Sequence, residues 1–143
     1  MKTIAVCCLV ALFLTTTLQA QKLPVTIKLS NIKDPKGIIY IGLYTSQNDF
    51  PSFGKQAFAC KAIPNGKDTL TVIMPNIPTG EYAIAVYQDL NQNGKLDNNL
   101  FGIPKEPYAF SRNVHPKLSK PGFEDCKVTI APAHQPISIQ LIN

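Results

Sequence analysis

The chain has no tryptophan, two histidines, four cysteines and a single long apolar run, and each scarcity removes a class of function. His115 and His134 stand alone, without the spacing of metal ligands, so a zinc site built on histidine and cysteine is excluded and both read as surface residues. No G-x-S-x-G, no cysteine and histidine signature and no nucleotide-cradling glycine loop is present. Charged residues make up 16% of the chain, and although the net charge is +5 the lysines never form a block. Nucleic acid is recognised by a concentrated basic patch, so that partner is rejected. No segment carries a helical period, which excludes a parallel α/β architecture for want of crossover helices.

The one apolar run lies at the N-terminus. Met1-Lys2 precedes an uncharged stretch over residues 4–14, three threonines, and Leu18-Gln19-Ala20. This is the pattern of a secretory signal peptide cut after Ala20, and the run is too short for a transmembrane segment. Residues 21–143 are then expected to form one domain, exported to the periplasm or beyond. Cys7 and Cys8 leave with the signal. Cys60 and Cys126 remain in a compartment where a disulfide persists. Two readings stand open for them: a bridge between the inward faces of two strands, or two small buried hydrophobes.

Alternation organises most of the rest. Val25, Ile27 and Leu29 share one face of a strand, and Asp34-Pro35-Lys36-Gly37 is turn chemistry returning into residues 38–45, so the pair predicts a hairpin. Residues 46–54 break regularity around Phe50 and Phe53, which predicts a loop anchored by two aromatic rings. Weaker alternation follows over residues 56–63, with Phe58, Cys60 and Ala62 on one face, then strands over 69–74 and 81–87 and two more over 127–130 and 137–142. About seven short strands with turns between them indicate an all-β, antiparallel two-sheet β-sandwich. Residues 98–125 show neither period yet carry Leu100, Phe101, Ile103, Tyr108, Phe110, Val114, Leu118 and Phe123. That apolar content predicts a long ordered loop, tied down by its aromatics, rather than a disordered one. Tyr108 and Phe110 could stack on a sugar, but in such a segment they read first as core.

The stretch from Asp89 to Asp97 concentrates the chemistry. Oxygen-bearing side chains recur at Asp89, Asn91, Asn93 and Asp97, with Gly94 where the loop turns, close to the first part of a calcium loop. The Lys95 carbonyl and Glu106 would complete the shell, because the bidentate acid of such loops is replaced here by Leu100. The plain alternative is a hairpin turn at Asn93-Gly94. If Ca2+ binds it serves structure, with affinity in the range of roughly 10⁻⁴ to 10⁻³ M expected of extracellular modules.

Pro78-Thr79-Gly80-Glu81-Tyr82-Ala83, the Asp89 to Asp97 motif, Gly102-Ile103-Pro104-x-Glu106-x-Tyr108-x-Phe110-Ser111 and Pro121-x-Phe123-Glu124-Asp125 occur in that order. Together they resemble a family of secreted bacterial proteins catalogued as domain of unknown function 2141. The resemblance implies a transthyretin-like or immunoglobulin-like sandwich with no established activity. Cys126 stands where that family usually has another small residue, which favours a local disulfide or simply a small buried side chain. The reading that results is a non-enzymatic binding or cell-envelope module with an unknown envelope or extracellular ligand. The alternative is a metal-dependent or carboxylate-based hydrolase of envelope carbohydrate, using two of Asp89, Asp97 and Glu106 as acid and base. Intact-mass measurement of exported protein should give a chain beginning at Gln21; a mass that includes Met1 contradicts the signal peptide.

Overall fold

The structure, a computed structural model, describes residues 20–143, so the expected signal peptide lies outside the described residues save for Ala20. Among the described residues no helix is long and apolar enough to cross a membrane. The chain is built from strands β1 (Lys22–Ser30), β2 (Ile38–Tyr44), β3 (Phe58–Ala62), β4 (Leu70–Pro78), β5 (Gly80–Asp89), β6 (Tyr108–Phe110), β7 (Lys127–Ile130) and β8 (Ile137–Gln140). The strand beyond the expected seven is β6, three residues inside the segment without a period. A single helical turn, α1 (Phe123–Cys126), precedes β7.

The strands form two sheets, one ordered β4-β1-β8 and the other β3-β2-β5, with β7 and β6 sharing the far edge of β5. Residues 80–83 of β5 pair with β7 and residues 85–87 pair with β6. The alternating residues behave as alternation requires. Val25, Ile27 and Leu29 of β1, Ile39, Ile41 and Leu43 of β2, and Tyr82, Ile84 and Val86 of β5 meet in one core between the sheets. Full burial of each such aliphatic side chain contributes about 1.5–3 kcal/mol.

Two topological expectations are corrected. β1 and β2 are not a hairpin: β1 pairs with β4 and β8, whereas β2 pairs with β3 and β5. The reason lies at Ile32, which is buried in the main core just before the Asp34 to Gly37 turn and carries the chain from one sheet to the other. The sheets are not wholly antiparallel either, because β1 and β8 run parallel.

A second core lies on the outer face of the larger sheet. Tyr44, Ala83 and Ala85 of the sheet are covered there by Phe50, Phe110, Phe123 and Cys126. Phe50 packs edge-to-face on Tyr44, Phe110 and Phe123, with centroids 5.3, 5.8 and 6.3 Å apart, so the aromatic anchoring expected of residues 46–54 is present. Ser111 pins the long segment beneath this layer: its hydroxyl accepts the Ile84 N–H at 2.9 Å and donates to the Cys126 carbonyl. The Gln47 side chain accepts the Phe123 N–H at 2.6 Å, tying α1 to the 46–54 loop.

Of the two readings open for Cys60 and Cys126, the bridge is absent, and both thiols are free. Cys60 packs against the core between the sheets and Cys126 belongs to the outer core, so the larger sheet separates them. The reading as two small apolar side chains is the one that holds. Burial first, and then the neighbouring Asp125, push the Cys126 thiol up to about 11, while Arg112 opposes the shift. At pH 8 a soluble thiol reagent should therefore label Cys126 only after unfolding. In denaturant without reductant the chain from Gln21 onward should titrate two thiols, and a count of zero would contradict the arrangement.

Candidate binding site beside the acidic loop

β5 ends in the residues that build the acidic loop. Asp89 is fully buried at the strand's end. Its Oδ1 accepts the Asn93 N–H at 3.1 Å and its Oδ2 accepts the Gly94 N–H at 2.7 Å. Gly94 has φ of 79°, the left-handed conformation that a tight turn asks of glycine. Asn91 Oδ1 accepts the Asn93 N–H at 3.1 Å, and Asn93 Oδ1 accepts the Lys95 N–H at 2.9 Å. The amide groups of Asn91 and Asn93 both donate to Asp97 Oδ2, at 2.7 and 3.0 Å. Glu106 returns to the same loop, as its place just past Gly102 suggested. Its Oε1 accepts the Leu90 N–H and its Oε2 the Asp97 N–H, each at 2.9 Å.

The structure therefore brings together Asp89, Asn91, Asn93, Asp97 and Glu106. It uses their oxygens to satisfy the loop's own donors. Lys95, whose carbonyl was the further expected ligand, is exposed and lines the groove described below. Among the described residues no three histidine, cysteine or acidic side chains are grouped as metal ligands. Nor does any of the three acids line that groove.

The base of the loop is fixed from behind by the connection between β1 and β2. Gln88 Nε2 donates to the carbonyls of Asp34 and Lys36, both at 2.7 Å. Gly37, at φ of 77°, lies so near that a Cβ there would fall 2.1 Å from the Asp89 carbonyl oxygen. Only glycine fits at that contact.

In front of the loop lies an open groove of about 620 Å³. Phe53, Tyr87 and Tyr108 form its aromatic floor, with Phe53 and Tyr87 edge-to-face at 4.4 Å. The Tyr87 hydroxyl donates to the Gly94 carbonyl at 3.3 Å, which joins the floor to the acidic loop. Burial, followed by Tyr40 and the charges of Asp89 and Glu106, pushes the Tyr87 phenol up to about 12. Residues 101–104 and 116–120 form the walls, and Lys95, Lys117 and Lys120 supply every charge lining the groove.

Sequence reasoning missed this groove because it assigned all the large apolar residues of 98–125 to anchoring. Phe110 and Phe123 do anchor the segment, and Val114 packs beside them. Leu100, Phe101, Ile103 and Leu118 instead project into solvent. Their setting among Gly102, Pro104, Pro116 and Ser119 was the available signal, since such residues shape loop tips rather than strand faces. His115 and His134 are exposed, as expected.

Comparison with protein families finds one described as uncharacterized and conserved in bacteria, DUF2141, matching residues 27–138. The chain belongs to this family. The match runs from within β1 into β8, so the larger sheet, the acidic loop and the groove of this DUF2141 chain fall within it, as does most of the smaller sheet. No curated protein and no solved structure matches the chain.

The hydrogen bonds make a prediction that separates scaffolding from metal holding. Asp89→Ala strands the Gly94 N–H and leaves the Asn93 N–H to Asn91 alone, and should cost about 1–3 kcal/mol even in the presence of chelator. Glu106→Gln should cost less, because its amide keeps one oxygen acceptor. Denaturant unfolding with chelator measures both. An unchanged Asp89→Ala midpoint would refute the scaffolding role.

Proposed function

We propose that the protein is an exported, non-enzymatic binding module of the cell envelope whose ligand surface is the groove beside the acidic loop. The observation that carries this reading is the groove itself. It combines an aromatic floor, apolar walls and a few convergent polar groups, the composition typical of ligand sites in proteins. Export rests on the N-terminal sequence, and the finer assignment to a transthyretin-like or immunoglobulin-like sandwich rests on the resemblance stated above.

The hydrolase alternative is less well supported. General acid and base chemistry needs two carboxyl groups facing the substrate. Asp89, Asp97 and Glu106 spend oxygens on loop N–H groups, and no acid lines the groove.

A structural Ca2+ is a second reading favoured by one specific observation. Asp89 and Glu106 are buried, yet among the described residues the only ion pairs are those of Lys127 with Glu81 and Glu124. Buried carboxylates without a basic partner leave negative charge that a cation would offset. The donor chemistry suits calcium, since all candidate ligands are hard oxygens and each ionised carboxylate has more acceptor sites than its N–H partners fill. Asp89, Asn91, Asn93, Asp97, the Lys95 carbonyl and Glu106 would hold it, with the two asparagine amides turned from Asp97. Its role there would be to stiffen the groove's supporting loop. Melting compared in chelator and in millimolar calcium tests it: a site filled to 100 times its dissociation constant adds about 2.7 kcal/mol. Identical midpoints would remove the calcium reading and leave the groove untouched.

For the groove, NMR shift mapping with short-chain amphiphiles and oligosaccharides should move signals of Phe53, Tyr87 and Tyr108. Ile103→Ser should weaken the responding ligand by about tenfold through lost apolar contact. Uniform silence of the groove across such a panel would overturn the proposal.

A further inference from the structure

The walls of the groove end in two loop tips with an unusual surface. Leu100, Phe101 and Ile103 on one tip are 102%, 88% and 58% exposed, and Leu118 on the other is 103% exposed. Isolated exposed apolar residues need no explanation, but several projecting from two neighbouring tips do. The backbone of the first tip is closed on itself. The Asn99 N–H donates to the Ile103 carbonyl at 2.8 Å and the Gly102 N–H to the Asn99 carbonyl at 3.0 Å. The Asn99 side-chain oxygen accepts the N–H groups of Phe101 and Ile103, at 2.9 and 3.0 Å. Such a tip can leave water without stranding these donors, which is the condition a hydrocarbon environment imposes. Lys95, Lys117 and Lys120 line the groove between the tips and the exposed Lys105 follows the first tip in sequence, and none of them is in an ion pair among the described residues.

Resting on the reading of this face as a binding surface, we infer that its two loop tips dock the domain onto an anionic lipid bilayer. Leu100, Phe101, Ile103 and Leu118 enter the interface, and the lysines meet the anionic headgroups. Charge complementarity points to lipid: the collar is basic, and no acid lines the groove between the tips. The shape points the same way. A side chain fully exposed on a convex tip loses its water only when a deformable medium closes around it, whereas a protein partner would need a matching pocket for each. Apolar burial combined with lysines near anionic headgroups is the arrangement of interfacial binding.

Sedimentation with vesicles tests the inference, using exported protein whose start at Gln21 has been verified by mass. The protein should bind phosphatidylcholine vesicles containing phosphatidylglycerol, more weakly those without it, and less as salt rises. Leu100→Ser with Leu118→Ser should reduce binding by at least about tenfold. Lys117→Gln and Lys120→Gln should each reduce it by about fivefold, on anionic vesicles only. All four residues are exposed, so the variants should melt like the parent, which the same samples verify. Absence of vesicle binding, or binding unchanged in the double leucine variant, overturns the inference. If a monomeric anionic amphiphile still shifts the groove's NMR signals while vesicles are ignored, membrane docking fails and the binding reading stands. If neither is bound, both fall.

Discussion

The burial of β5 on both faces is the constraint from which the rest of the structure follows. Its inward residues, Tyr82, Ile84 and Val86, are large and fill the space between the sheets, whereas its outward residues, Ala83 and Ala85, are small. Small residues on a sheet face leave depth for a second layer, and Phe50, Phe110 and Phe123 occupy it. Only Phe110 comes from a strand that pairs with β5, the three-residue β6. The other two rings come from the 46–54 loop and from α1, so the long segment is obliged to be ordered if the outer face is to be dry. The groove is then a by-product of that covering layer, formed where the layer stops and the acidic loop begins.

Acidic side chains near the site work chiefly as acceptors for backbone. A loop that turns sharply leaves several N–H groups without strand partners, and burying such groups unpaired costs about as much as a lost hydrogen bond. Asp89 and Glu106 accept four of them between them. Glu106 also links positions nine and sixteen residues away in sequence, at Asp97 and Leu90, so the loop and the strand after it move as one piece. With Gln88 holding the Asp34 to Gly37 turn from behind, three separate connections converge on the last residues of β5.

Much of the fold was legible in the sequence because a half-buried strand leaves a period of two. That signal placed β1, β2, β3, β4 and β5 close to their observed positions, although the Asp34 to Gly37 segment that was read as a hairpin turn connects the two sheets instead. Which strand pairs with which was less legible, since alternation looks the same whichever sheet a strand joins. Ile32 alone marked the crossing between sheets. β6 escaped notice because three residues cannot display a period and two of them, Ala109 and Phe110, are buried together. At the site, the density of oxygens and glycines identified the loop and the return of Glu106. The partners of those oxygens were not readable, because a carboxylate serves a backbone N–H as readily as a cation. Hydropathy could not reveal that Leu100 and Leu118 face water while Phe110 and Phe123 do not, since the difference is made by tertiary packing.

Two thiols parted by a sheet have a consequence for how this chain comes into being. Among the described residues its shape depends on no covalent cross-link. Its assembly is therefore indifferent to redox potential, and it calls on neither an oxidase to close a bond nor an isomerase to correct one. The same sheets can close in a reducing cytosol and in an oxidising envelope. If the chain is exported as proposed, the rate of folding against the rate of translocation, rather than the oxidising power of its destination, is the quantity that decides where it acquires its form.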